Sequence, residues 1–333
     1  MFIFYATILK NLNLKDDIMI IEDNEIDSNI ELLTPQSHEN VAIIPLKSEK
    51  KYIDVLTLKK GLELGLVEVK ECEHSTVSTV IVKNNAVTPL ILIDGEEIVG
   101  GDQNRIVNAT TVIAPNSQSH ISVSCTERGR WAYKSEFASS VHIADFNTRV
   151  AKEKAFRSNR PVQNEVWSSI DALERRNNYH SKTSAMSESY ENAKTNFKEI
   201  LKSFEIVDGQ TGVLIIINGE IKGFELFLSS EIYKDFHEKI LKSYIIGSDV
   251  ENMTFTINVD RARQVIENAF DSTFESKPTK GLEKAYEFEN QEGIGKAYIF
   301  ENEIIHLSYF NSTSDNESDE ALVNADVNYA VRD

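Results

Sequence analysis

Residues 94–105 carry the densest group of chemically useful side chains in the sequence, reading Asp-Gly-Glu-Glu-Ile-Val-Gly-Gly-Asp-Gln-Asn-Arg. Gly100 and Gly101 permit backbone conformations and close approaches that a Cβ atom would block. Gln103 and Arg105 then offer amide and guanidinium groups suited to a planar or anionic ligand. A surface hairpin loop with ordinary polar residues would explain the same segment, so composition alone leaves both interpretations open.

A second group follows at residues 124–131, reading Ser-Cys-Thr-Glu-Arg-Gly-Arg-Trp. Glu127 and Arg130 are three residues apart, and Trp131 comes next. A carboxylate, a fork of N–H donors and an indole could together hold a base or a ribose. The alternative is a structural ion pair beside a buried tryptophan.

Cys125 is predicted to be a buried structural thiol. Strand alternation in residues 119–125 places it with Ile121 and Val123 on the inward face. A nucleophilic cysteine would need a lowered pKa, and no histidine in the sequence has a position that implies pairing with it.

Two further side chains, Gln163 and Trp167, lie one helical turn apart and could face the same pocket, although a core tryptophan beside a polar neighbour is the commoner arrangement. The run Cys72-Glu73-His74 has no second pair of ligands to complete a zinc site, so we predict no metal. The sequence contains no Walker loop and no G-x-G-x-x-G motif, and we predict no cofactor.

The elements that must position these groups predict an α+β fold. In residues 1–149, short stretches rich in Val, Ile and Thr predict strands of an antiparallel, β-rich, sandwich-like sheet, at residues 41–46, 52–58, 76–82, 89–93, 106–113 and 121–125. Residues 150–205 change to helical spacing, with one helix expected over 162–173 and another over 190–204. Residues 206–312 predict a hairpin–helix part, with hairpin turns at 218–219 and 301–302.

We expect residues 1–312 to form a single domain and the acidic segment 313–333 to be a disordered tail. The 333 residues include 53 acidic and 35 basic side chains, giving a net charge of −18. A surface this negative disfavours long nucleic acid and membranes as partners, while a local basic pocket could still bind a small anion. No apolar run approaches the ~20 residues of a membrane span. We therefore expect a cytoplasmic protein.

In these motifs the sequence resembles a poorly characterised family, the ARG and rhodanese-phosphatase-superfamily-associated domain. The resemblance rests on residues 95–105 and 123–131, with further matching stretches at 163–167, 208–227 and 305–308. It implies that the following residues belong to the family pattern: Glu96, Gln103, Arg105, Cys125, Glu127, Arg130, Trp131, Gln163 and Trp167. It also implies a context of nucleotide or ADP-ribose metabolism, including conflict between bacteria and their viruses, but brings no known reaction.

The resulting hypothesis is a site for a nucleotide- or ADP-ribose-type ligand, built from the two motif loops and the helix that carries Gln163 and Trp167. Arginines 105 and 130 would hold phosphate, and Trp131 or Trp167 would stack on a base. Glu96 or Glu127 would accept ribose hydroxyls or act as general base; the sequence does not decide between binding and cleavage. The rival hypothesis is an interaction module that contacts a protein partner or a second copy, in which the same residues form a structural network.

Overall fold

The computed structural model describes residues 30–49, 51–76, 78–246, 248 and 255–311. Within these residues the chain is an α+β protein with mostly antiparallel sheets, as the sequence predicts. The strands are β1 (Ile30–Leu32), β2 (Gln36–His38), β3 (Val41–Ser48), β4 (Leu56–Thr57), β5 (Val67–Thr76), β6 (Thr79–Asn84), β7 (Leu90–Leu92), β8 (Glu96–Val99), β9 (Arg105–Val107), β10 (Thr111–Ile113), β11 (Ser117–Cys125), β12 (Ala138–Ile143), β13 (Gly212–Ile217), β14 (Glu220–Phe227), β15 (Glu275–Lys277), β16 (Lys284–Glu289), β17 (Gly293–Phe300) and β18 (Glu303–Asn311). The helices are α1 (Leu58–Glu63), α2 (Phe146–Arg157), α3 (Val162–Asn177), α4 (Met186–Glu191), α5 (Phe197–Leu201), α6 (Ser230–Ile245) and α7 (Val259–Phe270).

The largest sheet has the order β1-β3-β13-β14-β18-β17-β16-β15, and β2 also pairs with β3. Side chains alternate between the two faces along each strand, and both faces are buried. In β13, Val213 and Ile215 face a core that includes α6, while Leu214 and Ile216 face a core that includes α7. One face of the sheet is therefore covered by α6 together with residues of β7, β10 and β12, and the other face is covered by α7.

Both motifs lie in a smaller six-stranded sheet with the order β12-β8-β9-β11-β6-β5, beside a three-stranded sheet β10-β7-β4. Strand β9 pairs antiparallel with β11, which sets Arg105 opposite Cys125. Directly paired residues project to the same face of a sheet. Here that face covers an apolar core to which Val107 and Val123 belong.

The sequence-based elements are right in type for most of the chain and differ from the structure in four places. The predicted strand 76–82 takes in the last residue of β5, a turn at Ser78 and most of β6. Residues 190–204 do not form one helix: α4 ends at Glu191 and α5 begins at Phe197, where the Asn196 side chain accepts a hydrogen bond from the backbone N–H of Glu199. In the segment 52–58 only Leu56 and Thr57 form a strand, β4, and Thr57 also caps α1, which begins at the next residue. Residues 106–113 form two short strands, β9 and β10.

The hairpin predictions are confirmed. Asn218 and Gly219 both have positive φ, of 56° and 79°, as a tight turn between β13 and β14 requires. Glu301 and Asn302 have positive φ between β17 and β18. The predicted tail at 313–333 lies outside the described residues, and the single-domain assignment of 1–312 stays a prediction. No helix in the described ranges is long and apolar enough to span a membrane.

A buried ionic network joins the large sheet to the motif-bearing part of the chain. Arg149 of α2 forms a two-pronged ion pair with Glu225 of β14, with 3.0 Å between Nη2 and Oε2, and both side chains are fully buried. Burial alone would raise the pKa of Glu225, but the guanidinium of Arg149 lowers it to about 2. One turn further along α2, Lys152 pairs with Asp94, which begins the first motif. The network therefore fixes where that motif starts.

We expect Arg149→Ala to lower the free energy of unfolding by about 3–5 kcal/mol, because it leaves the Glu225 carboxylate buried without its partner. Chemical denaturation at pH 7 measures this loss. The matched control is Arg160→Ala, which removes an arginine of equal charge from an exposed pair with Glu165 and should cost no more than about 1 kcal/mol. Equal losses in the two variants would show that the buried network does not hold the fold together.

Candidate functional site

The guanidinium of Arg130 lies where the two motifs meet. Its Nε and Nη2 atoms are 2.8 and 2.6 Å from Oε2 of Glu127. Nη1 donates to the carbonyl oxygen of Gly101 at 2.8 Å, and Nη2 donates to that of Gly100 at 3.2 Å. One side chain of the second motif thus holds both glycines of the first.

The two glycines adopt conformations that require their lack of a side chain. Gly100 has φ 120° and Gly101 has φ 51°. A Cβ atom on Gly100 would lie 2.4 Å from the carbonyl oxygen of Glu136, and one on Gly101 would lie 2.2 Å from the Phe137 ring. The glycines let this loop pack closely against residues 136–137, with their carbonyl oxygens facing Arg130.

Glu127 is the second fixed point of the junction. Its backbone carbonyl accepts a hydrogen bond from Nε2 of Gln103 at 3.0 Å, and its carboxylate accepts from the hydroxyl of Thr183 at 3.2 Å. Asn104 donates its backbone N–H to the same carboxylate at 3.4 Å and accepts from Arg130 through its side-chain oxygen at 3.1 Å. These contacts bring Gly100, Gly101, Gln103, Glu127 and Arg130 together.

Arg105 is fully buried, yet its guanidinium is only partly bonded. Nη1 donates to Oε1 of Gln103 at 3.0 Å, and Nη2 lies 3.6 Å from Oε1 of Glu71. Within the part of the chain that the structure describes, Nε and Nη2 of Arg105 and Oε2 of Glu71 have no hydrogen-bond partner. The ring of Trp131 covers this group, with its centroid 5.8 Å from the guanidinium carbon.

Gln163 and Trp167 attach helix α3 to the end of strand β11. The Gln163 amide accepts from the backbone N–H of Cys125 at 2.8 Å and donates to its carbonyl at 2.9 Å. The Trp167 ring lies 5.9 Å from the guanidinium carbon of Arg128. Cys125 itself is buried, and this burial raises the pKa of its thiol. Helix α3 therefore contacts the end of β11, just before the turn that carries Glu127 and Arg130.

Glu96 lies away from the contacts between the two motifs and faces helix α6 instead. Its carboxylate lies 3.5 Å from Nζ of Lys239 on α6 and accepts from the backbone N–H of Ile93 at 3.4 Å. Burial raises its pKa, and the ammonium of Lys239 opposes that effect. The structure thus places the two predicted acids in different surroundings, Glu127 at the junction and Glu96 beside α6.

Sequence reasoning did not single out Glu71 or Glu97. Glu71 belongs to strand β5, and only the pairing of β5 through β6 to β11 brings it beside Arg105. Glu97 is fully buried and accepts hydrogen bonds from Ser140 at 2.7 Å and Thr126 at 3.3 Å. Burial raises its pKa to about 7. Its position in the motif beside Glu96 is the one signal that could have marked it.

In the described residues, no group of three or more His, Cys, Asp and Glu side chains is arranged to hold a metal ion.

A family model, the ARG and Rhodanese-Phosphatase-superfamily-associated Protein domain, matches residues 29–310. This confirms the resemblance carried by the motifs. Searches of curated proteins and of solved structures gave no match.

Glu97 should make stability depend on pH. Because its pKa rises from 4.5 to about 7 on folding, the protonated carboxyl is favoured in the folded state. The associated stability is complete below pH 4.5 and is lost as the pH rises through 7. Glu97→Gln keeps a neutral side chain, so it should exceed the wild type by about 3 kcal/mol at pH 8.5 and by little at pH 4.5.

Urea denaturation at the two pH values measures this difference. Glu267→Gln on the exposed face of α7 is the matched control and should show no such pH dependence. A Glu97→Gln variant that is less stable than the wild type at pH 8.5 would contradict the neutral state of this carboxyl.

Proposed function

We propose that this chain, which belongs to the ARG and Rhodanese-Phosphatase-superfamily-associated Protein domain family, binds a nucleotide- or ADP-ribose-type ligand at Arg105. The observation that carries the proposal is the guanidinium of Arg105, which is fully buried and has two nitrogen atoms without a hydrogen-bond partner among the described residues. Leaving a charged buried donor unbonded costs more than the roughly 1–3 kcal/mol of a neutral one. A phosphate would accept from both nitrogens in the forked geometry that guanidinium groups favour.

The surroundings of Arg105 suit the other parts of such a ligand. Trp131 is 52% exposed, so it can turn aside to admit a phosphate and offer a ring face to a base. The unbonded Oε2 atom of Glu71 can accept from a ribose hydroxyl. Gln103, bonded to both Arg105 and Glu127, orients the guanidinium.

In this proposal Arg130 and Glu127 position the loops, because their polar atoms are bonded to each other and to backbone groups. Gly100 and Gly101 let the loop close, and Gln163 and Trp167 support it from α3. Glu96 has no part in binding. The proposal is one of binding without a reaction, and it extends to nucleotide signals in conflict between bacteria and their viruses.

One observation favours the alternative, a module that binds a protein partner. Trp131 and Tyr133 are 52% and 64% exposed and lie two residues apart, and exposed aromatic side chains are enriched in protein interfaces. Under this alternative Arg105 and Glu71 would be a purely structural pair. The two functions differ in whether the protein binds a small ligand and whether that binding depends on Arg105.

A thermal-shift panel of NAD, ADP-ribose, cyclic nucleotides and mononucleotides tests the proposal. At a ligand concentration a hundredfold above Kd, binding adds about 2.7 kcal/mol, which should raise the wild-type Tm by roughly 5–10 °C. Arg105→Met keeps roughly the side-chain volume but removes the charge, so it should lose the shift; its cost in basal stability should be smaller than that of Arg130→Ala, because Glu71 and Gln103 each lose only one contact. Arg130→Ala should instead lower basal stability, because it leaves Glu127 buried without its partner.

Arg160→Ala, with its exposed pair outside the site, should retain the whole shift. If no compound shifts the wild type and Arg105→Met is several kcal/mol less stable, Arg105 is structural. The interaction-module function would then replace the proposal.

A further inference from the structure

A crevice of about 550 Å³ lies beside the second motif and shares no lining residue with the Arg105 site. Its walls are formed by Arg128 of the motif turn, by the last turns of α3 and by the segment that follows α3. This volume falls within the range of about 300–1,000 Å³ typical of small-molecule sites. Four nitrogen-bearing side chains line it: those of Arg128, Arg175 and His180, and the amide of Asn178.

Arg128 is held in place without using all of its donors. Nη1 and Nη2 donate to the two carboxylate oxygens of Asp171 at 3.2 and 3.0 Å. The guanidinium lies over the Trp167 ring at 5.9 Å. A guanidinium has five N–H donors, so a side chain fixed through two of them keeps others for a ligand in the crevice.

His180 is oriented by a buried carboxylate. Its Nδ1 atom lies 2.8 Å from Oε2 of Glu174, and the other oxygen of Glu174 accepts from the backbone N–H of Ser181 at 3.3 Å. The Glu174 side chain is buried, while that of His180 is exposed. With Nδ1 directed to the carboxylate, Nε2 is left as the atom that can meet a ligand.

Arg175 completes the group. It lies one residue after Glu174 in the last turn of α3, its side chain is exposed, and within the described ranges its guanidinium has no ion pair or hydrogen bond. Asp171 and Glu174 also line the crevice, but the Asp171 carboxylate is already bonded to Arg128 and that of Glu174 to His180. The donors left over for a ligand are those of Arg128 and Arg175, joined by Nε2 of His180 when the imidazole is protonated, because Nδ1 keeps its hydrogen on Glu174.

We propose that this crevice binds a small phosphate-bearing ligand, with the phosphate held by Arg128 and Arg175 and contacted by Nε2 of His180. Two guanidinium groups, with an imidazole in its protonated form, match the oxygen acceptors of a phosphomonoester. The crevice has room for the nucleoside or sugar attached to it. A net charge of −18 over the whole chain disfavours a long polyanion, so the ligand is a small molecule. This site is additional to the one proposed at Arg105.

Isothermal titration of the full chain with AMP, ribose 5-phosphate and inorganic phosphate at low salt tests the crevice. We expect binding of at least one of them to the wild type. Arg175→Ala is the cleanest variant, because its exposed and unbonded side chain plays no part in folding. It should weaken binding about ten- to hundredfold, as loss of a charge-assisted hydrogen bond predicts. Arg128→Ala and His180→Gln should weaken it about tenfold or more.

Two controls separate this site from the Arg105 site. Arg160→Ala removes the same charge beside the start of α3, outside the crevice, and should bind like the wild type. Arg105→Met and Trp131→Ala should also leave binding in the crevice unchanged. Absence of binding by all three compounds overturns the proposal. Binding that survives both Arg175→Ala and Arg128→Ala also overturns it. Binding that is abolished by Arg105→Met overturns it as well, but that result would support the proposed site at Arg105.

Discussion

The guanidinium of Arg130 joins two loops that are distant along the chain, and the geometry of the candidate site depends on this contact. It bonds at once to the carboxylate of Glu127 and to the carbonyl oxygens of Gly100 and Gly101. Residues with side chains could not direct their carbonyl oxygens to Arg130 at these two positions, because a Cβ atom would clash with residues 136–137. The Gly-Gly pair of the first motif and the E-x-G-R-W run of the second are thus two halves of one contact.

Arg105 and Arg130 differ in a way that separates structure from function. Both arginines belong to the two motifs; Arg105 is fully buried and Arg130 is half-buried. Arg130 is bonded on every side by its own chain, whereas Arg105 has two nitrogens without a hydrogen-bond partner in the described residues. Most buried polar groups are satisfied in native proteins, so an exception calls for an explanation. A site completed by an external anion supplies one, and the rigid junction around Arg130 would keep that site in shape before the ligand arrives.

The sequence predicts those parts of the molecule that local forces decide. The Asn218-Gly219 turn and the amphipathic helices α6 and α7 follow from backbone preference and apolar spacing. Contacts between distant segments do not follow from these. Glu71 meets Arg105 through two strand pairings, and Lys152 stands in a stretch of α2 that reads like an ordinary charged helix, yet it is buried against Asp94. The break between α4 and α5 does not follow from the sequence pattern, because the apolar stripe continues across it while Asn196 caps a new helix.

The different roles of the two arginines, Arg130 holding the loops and Arg105 binding a ligand, can be tested at individual nitrogen atoms. The measurement is an NMR spectrum of the arginine Nε–Hε groups in ¹⁵N-labelled protein, with assignments from Arg105→Met and Arg130→Ala, recorded before and after addition of ADP-ribose or NAD. We expect the Arg105 signal to shift and to become protected from solvent exchange, while the Arg130 signal is already protected and stays in place. A shift of Arg130 with no change at Arg105 would contradict these roles.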